Sequence, residues 1–183
     1  MLWHLVHRLQ SVELIDEIVI ATTTNETDDV LEEFAKEHGV TCFRGSEDDV
    51  LLRVVRAAES VQTDVLIEIT GDCPVIDPQL IDQGIRMFFA NECAILSNGI
   101  VRSYPDGMDL QVLRLETLKD SMSRTQDPLH HEHPVLHIVT NPDRYSQLNV
   151  VAPSASFWPE LGLTLDEQDD YNLLKRIIEH FPL

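Results

Sequence analysis

The sequence predicts one α/β domain with a mainly parallel sheet, and three observations carry that reading. Segments of helical and strand period alternate through the first ninety residues, the pattern of parallel strands joined by right-handed crossovers. One stretch, Asp64 to Pro78, shows the unit most clearly. Val65, Leu66, Ile67, Glu68 and Ile69 are mostly apolar and β-branched, the pattern of a strand buried on both faces. Thr70-Gly71-Asp72-Cys73-Pro74 ends the strand, and Asp77 caps a helix with Pro78 at its first position. Finally, 183 residues with 43% hydrophobic and 25% charged content suit a single domain with a real core.

Taken in order, the chain opens on an amphipathic helix whose apolar residues, Leu2, Leu5, Val6 and Leu9, fall at helical spacing. Glu17 to Thr23 reads as a strand. A helix follows from about Asp28 to His38, apolar at Val30, Leu31, Phe34 and Ala35 and closed by Gly39. Val40 to Phe43 is a short strand. Ser46 is expected to cap the next helix, with Asp49 at capping-box spacing and Val50, Leu51, Val54, Ala57 and Ala58 facing inward. After the Asp64 strand, the helix from Pro78 to about Ala90 turns Leu80, Ile81, Ile85 and Phe88 to the core.

The second half is less regular. Ala94 to Ser97 and Gly107 to Leu113 read as strands, separated by a loop over 98–106. A helix is expected around Glu116 to Ser123, a His-rich helical stretch from Pro128 to Val139, and a last strand from Tyr145 to Val151. Asp166 is read as the cap of a closing helix whose core face is Leu173, Leu174, Ile177 and Ile178. No repeat, low-complexity tract or linker divides the chain, so one domain over 1–183 is expected.

Composition narrows the partners. Thirty-two acids face thirteen bases, a formal charge of −19 that repels phosphate backbones and argues against nucleic acid. No apolar run is long enough to span a membrane, and no basic, cleavable leader is visible. Three unspaced cysteines, Cys42, Cys73 and Cys93, favour reduced thiols in the cytoplasm.

Ligands of open α/β sheets bind beyond the carboxyl ends of strands, which is where Asp72 stands. By itself Asp72 reads equally well as a turn residue, whereas Asp166 is better read as a helix cap beside Asp169. If both elements share one layer, the two carboxylates can meet on one hard cation, since Mg²⁺ takes one or two carboxylates and fills its shell with water and phosphate. Arg44-Gly45-Ser46 offers a guanidinium at a helix start. The loop Arg102-Ser103-Tyr104-Pro105-Asp106 combines a cation, hydroxyls and an acid. His130, His131, His133 and His137 permit a zinc-hydrolase reading, although a polar helix face is the commoner explanation. The phosphate-cradle motifs G-x-G-x-x-G and G-x-x-x-x-G-K-[ST] are absent.

Four segments together resemble the cytidylyltransferases of surface-polysaccharide synthesis, in particular the spore-coat branch. They are IVIATTTN (18–25), FRGSEDDV (43–50), ITGDCPVIDP (69–78) and YPDGMDLQV (104–112), and LTLDEQDDY (163–171) is similar to the family's closing motif. Broader relatives are the synthetases of CMP-sialate and CMP-ketodeoxyoctonate. The resemblance implies a doubly wound, mainly parallel sheet of nucleotidyltransferase type, N-terminally truncated. It further implies transfer of CMP from CTP to an acidic or phosphorylated sugar, Asp72 and Asp166 as catalytic Mg²⁺ ligands, and Arg44, Ser46 and Thr70 near the nucleotide. Arg102, Tyr104, Asp106 and Asp109 would line the acceptor side. Two features depart from the family. The initial strand and its phosphate-binding loop are missing, and His131-Glu132-His133 replaces an Arg-Glu-His. Weak or absent turnover is therefore expected, with a possible homodimer formed through open strand edges. The alternative is a non-catalytic binding or assembly protein on the same fold.

Overall fold

The alternation of helices and strands is present, but the sheet it builds is mixed rather than mainly parallel. A computed structural model describes residues 1–181. Helices α1 (Leu2–Leu9), α2 (Asp29–His38), α3 (Val50–Ser60) and α4 (Pro78–Ala90) alternate with strands β1 (Val19–Thr23), β2 (Thr41–Gly45) and β3 (Val65–Glu68). Then follow β4 (Ile95–Ser97), β5 (Gln111–Arg114), α5 (Leu115–Met122), α6 (Pro128–Glu132), α7 (Leu136–Val139), β6 (Gln147–Asn149) and α8 (Gln168–His180).

β1 and β2 form a parallel pair, and the other four strands lie in the order β3-β5-β4-β6. β5 is antiparallel to both β3 and β4, whereas β4 and β6 are parallel. The cause is the connection. Residues 98–110 join β4 to β5 without a crossover helix, and a strand returning through a loop runs antiparallel. β3 is also not buried on both faces. It is a half-buried edge strand of its sheet.

Several element ends shift for local reasons. Asp49, not Ser46, caps α3 by accepting from Leu52 N at 2.8 Å, while Ser46 Oγ accepts from Asp49 N. The strand expected from Gly107 begins only at Gln111, because Gly107 occupies a turn at φ +91°. The His-rich stretch is two short helices broken at residues 133–135, where Pro134 cannot continue a helix. The last strand shrinks to Gln147–Asn149. The Asp77–Pro78 start of α4 is as read, with Gln79 N donating to Asp77, and Gly39 closes α2 in the left-handed conformation. Val30 and Leu173, assigned inward from spacing, are 64% and 42% exposed.

Side chains alternate across β4 and β5, so both faces of the four-stranded sheet are covered. Ile95 and Leu113 pack with Leu51 and Val55 of α3, Leu118 of α5 and Ile138 of α7. Leu96 and Val112 face the other way, against Leu80 and Phe88 of α4. α1 lies against α4 through Leu5, Ile81 and Ile85, which fixes the turn carrying Cys73 and Ile76. α8 docks Leu174 on Val75 and Leu163. Leu51 is fully buried where α3 meets the sheet, so Leu51→Ala should cost about 2–5 kcal/mol of stability. Urea unfolding should show a lower midpoint at unchanged slope. Among the described residues, no helix is long and apolar enough to cross a membrane.

Candidate active site

β3 delivers the chain into the turn at Thr70–Cys73, and a distant segment, 161–165, runs alongside it. Asp106 N donates to Leu161 O at 2.9 Å, Leu163 N to Asp106 O at 2.8 Å, and Leu165 N to Asp72 O at 2.9 Å. Three backbone hydrogen bonds thus stitch the segment to two acidic loops, and Asp166 follows one residue after its joint with Asp72. The close approach needs Gly107, since a Cβ there would lie 2.6 Å from the carbonyl carbon of Leu163.

Asp166 is not the helix cap that its position suggested. Glu167 caps α8 in a reciprocal pair with Asp170, whose carboxylate accepts from Asp166 N and Glu167 N. Among the described residues the Asp166 carboxylate accepts only from the Thr164 hydroxyl, at 2.9 Å. That of Asp72 takes, among the described residues, only a 3.5 Å approach from the Cys73 thiol. Both acids therefore keep most of their lone pairs. Two nearly unspent carboxylates suit Mg²⁺, which completes its shell with water and phosphate. Among the described residues no group of three or more His, Cys, Asp and Glu is arranged to hold a metal, so a softer ion with an all-protein shell has no cage. Three of the four histidines are engaged elsewhere: His130 with Thr125, His137 with Ser121, and His131 with Asp49. Cys73 is buried, which disfavours the reactive thiolate. Burial pushes its thiol up to about 12, with the neighbouring Asp72 charge adding to the effect.

Next to the acidic turn, Thr70, Arg102 and Asp109 line a cavity of about 270 Å³ together with Glu68, Ser97, Gly99, Ile100, Gln111, Val135 and Val139. Arg102 holds Asp106 at 3.1 Å and Asp109 at 3.2 Å. Burial raises the Asp109 carboxyl, as does its hydrogen bond with Asp106, and Arg102 opposes both. Glu68 keeps some exposed surface, yet its carboxyl is enclosed by protein. That burial, and then the charges of Asp72 and Asp109, push it up to about 7. With its amide turned so that both ends are satisfied, Gln111, its cross-strand partner, donates its nitrogen to the Glu68 carboxylate at 2.8 Å.

The remaining sequence candidates do other work. Arg44 spends its guanidinium on Thr23 O, Asn25 O, Asp29 and Glu32, bracing the corner between β1, β2 and α2. Ser46 belongs to the start of α3. Tyr104 is buried among Leu80, Leu96 and Leu110, outside the cavity lining. Sequence reading missed Glu68, Ser97 and Gln111. The available signal was an acid inside an apolar strand, which needs a partner or a purpose.

The raised Glu68 pKa fixes a sign. Between its ordinary 4.5 and about 7 the folded protein retains a proton that the unfolded chain has lost, so stability should fall as pH rises through that window. Glu68→Gln should flatten this part of the stability–pH curve, as read by thermal melts from pH 4.5 to 8. An unchanged slope would count against the desolvated carboxyl.

A model of the family described as cytidylyltransferase matches residues 1–174. Among curated proteins, the spore coat polysaccharide biosynthesis protein SpsF of Bacillus subtilis (strain 168) is 34% identical over 183 residues, covering 96% of this chain and 74% of that protein. Among solved structures, a cytidylyltransferase from Leptospira borgpetersenii superposes with a TM-score of 0.94 at 30% identity, covering all of this chain and 76% of that one. The CMP:2-keto-3-deoxy-manno-octonic acid synthetase complexed with CTP shares the fold, with a TM-score of 0.63 at 13% identity and coverage of 98% and 86%.

Proposed function

The chain belongs to the cytidylyltransferase family, and from that premise we propose that it transfers CMP from CTP to a cell-surface sugar with Mg²⁺ held by Asp72 and Asp166. The observation that carries the reading is the Leu165–Asp72 backbone hydrogen bond, which sets two unspent carboxylates on adjoining segments at the end of β3. When bound, Mg²⁺ offsets the triphosphate charge and favours in-line displacement. An acceptor oxygen attacks the α-phosphorus, the bond to the β-phosphate breaks and pyrophosphate leaves. Thr70 stands between the acidic turn and the cavity, next to the nucleotide in this scheme, with Arg44 and Ser46 shaping the neighbouring corner. Arg102, Asp106 and Asp109 position the acceptor, and Tyr104 supports their loop from beneath.

Turnover should be weak. Among the described residues lining the cavity Arg102 is the sole cation, and it is already shared by two carboxylates. β1 and β3 each leave one edge unpaired among the described residues, which favours a homodimer detectable by light scattering. The free thiols of all three cysteines accord with a cytoplasmic setting.

Isothermal titration with CTP, with and without Mg²⁺, followed by a pyrophosphate-release assay with candidate sugars, tests this reading. Mg²⁺-dependent binding with slow pyrophosphate release is expected. No CTP binding would overturn it and favour the assembly role.

A further inference from the structure

The strand β6 and the loops beside it form a neutral, apolar seam on an otherwise acidic protein. We propose that a second copy of this chain docks on that seam, its β6 pairing antiparallel with this one about a twofold axis.

The strand edge is the first argument. β6 ends the order β3-β5-β4-β6, so among the described residues no strand lies outside it. Ala94 N donates to Ser146 O at 2.8 Å and Val150 N to Ser97 O at 2.9 Å. Residues 146, 148 and 150 thus turn their backbone groups to β4, and Gln147, Asn149 and Val151 turn theirs outward. Such an edge complements its own reversed copy, which is what a twofold contact requires.

The side chains around the edge are the second. Val101, Val151, Phe157 and Trp158 are 51–62% exposed. They come from separate segments that hydrogen bonds hold together. The Asn149 side chain accepts from Val101 N at 2.9 Å, Ser103 Oγ accepts from Ala152 N at 2.9 Å, and Trp158 N donates to Ser103 O at 3.1 Å. Scattered exposed apolar residues need no explanation, but grouped ones mark an interaction surface. Phe and Trp are the usual anchors of such a surface.

Charge selects the occupant. At a formal −19, two copies repel over most of their surface. Residues 145–159 carry no charged side chain, the longest such run in the chain, and residues 93–101 carry none either. The other open edges stand beside acids: β1 between Glu17 and Glu26, β2 just before Glu47, and β3 between Asp64 and Asp72. β6 is therefore the edge where an identical copy meets least repulsion. A basic partner would seek acids, and the seam has none to offer.

Light scattering and sedimentation of the full chain over a dilution series test the proposal. A mass of twice the chain is expected at micromolar concentration, and added salt should tighten the dimer by screening repulsion outside the seam. Trp158→Glu should weaken association about tenfold or more, the scale of losing one anchor. Val151→Pro, which removes one outward N–H and leaves the β4 ladder intact, should weaken it as well. Hydrogen exchange on the unaltered protein reads the edge without any substitution. The amides of Gln147, Asn149 and Val151 should be protected in concentrated samples and exchange fast in dilute ones. A monomer at every concentration would overturn the proposal, as would a dimer that survives both substitutions or exchange at these amides that ignores concentration. A monomer that binds lipid vesicles through Trp158 would assign the seam to a membrane surface instead and overturn it too. CTP takes no part in these measurements, so the dimer seam and the nucleotidyl-transfer reading stand or fall separately.

Discussion

Asp72→Asn is expected to remove Mg²⁺-dependent CTP binding and to lower pyrophosphate release by about 10²–10³-fold, the scale of losing one electrostatic contact made in the transition state. It should do so without unfolding the protein. The structural work of Asp72 is done by its backbone carbonyl, which accepts from Leu165 N and is retained in Asn. Among the described residues its carboxylate contributes only a long thiol contact. Stability should therefore stay within about ±0.5 kcal/mol. Asp166→Asn should behave alike, because the α8 cap is made by Glu167 and Asp170. A residue kept for structure would show the reverse: a lower melting temperature and little change in binding. Parallel melts and titrations on both variants separate the two cases.

Gly107→Ala carries the other large effect, and here stability and function should fall together. The residue sits at φ +91°, which costs a side-chain-bearing residue about 1–2 kcal/mol. A Cβ would also lie 2.6 Å from Leu163 C, 2.7 Å from Leu163 O and 2.9 Å from Thr164 N. These are backbone atoms of the segment stitched to Asp106 and Asp72, so no rotamer change relieves the clash. Overpacking of this kind costs about 1–3 kcal/mol. The 161–165 segment must move, and Asp166 moves with it. The control is Gly162→Ala in the same segment, where a Cβ meets nothing within 4 Å and the melting temperature should hardly change. Melting curves and Mg²⁺–CTP titrations of both variants check this. A Gly107→Ala protein with unchanged stability and binding would contradict the role given to that approach.

The parts legible from sequence were those set by neighbours along the chain. The helical spacing of α1 and α4, the Asp77–Pro78 start and the Gly39 stop are local chemistry, and they appear as read. The direction of β5 is not local. Periodicity marks a strand but carries no sign for its direction, and only the missing crossover helix between β4 and β5 hinted at the reversal. The break in the His-rich stretch was visible in Pro134, although Pro128 to Val139 was read as one helical stretch.

The site divides the same way. Asp72 and Asp166 stood out because each ends or begins an element, yet the cap fell on Glu167, one residue later. Arg44 looked like an anion ligand by residue type, while four partners already occupy its guanidinium. The cavity floor depends on the cross-strand pairing of Glu68 with Gln111, a register that forms only when residues 43 positions apart meet.

Co-crystals grown with Mn²⁺ and CTP, with anomalous data collected for manganese, would test the pairing of the two acids most directly. The account predicts an anomalous peak bonded to carboxylate oxygens of both Asp72 and Asp166 and to the triphosphate. A nucleotide-bound peak that touches neither acid, or a peak on only one of them with the other turned to solvent, would contradict it.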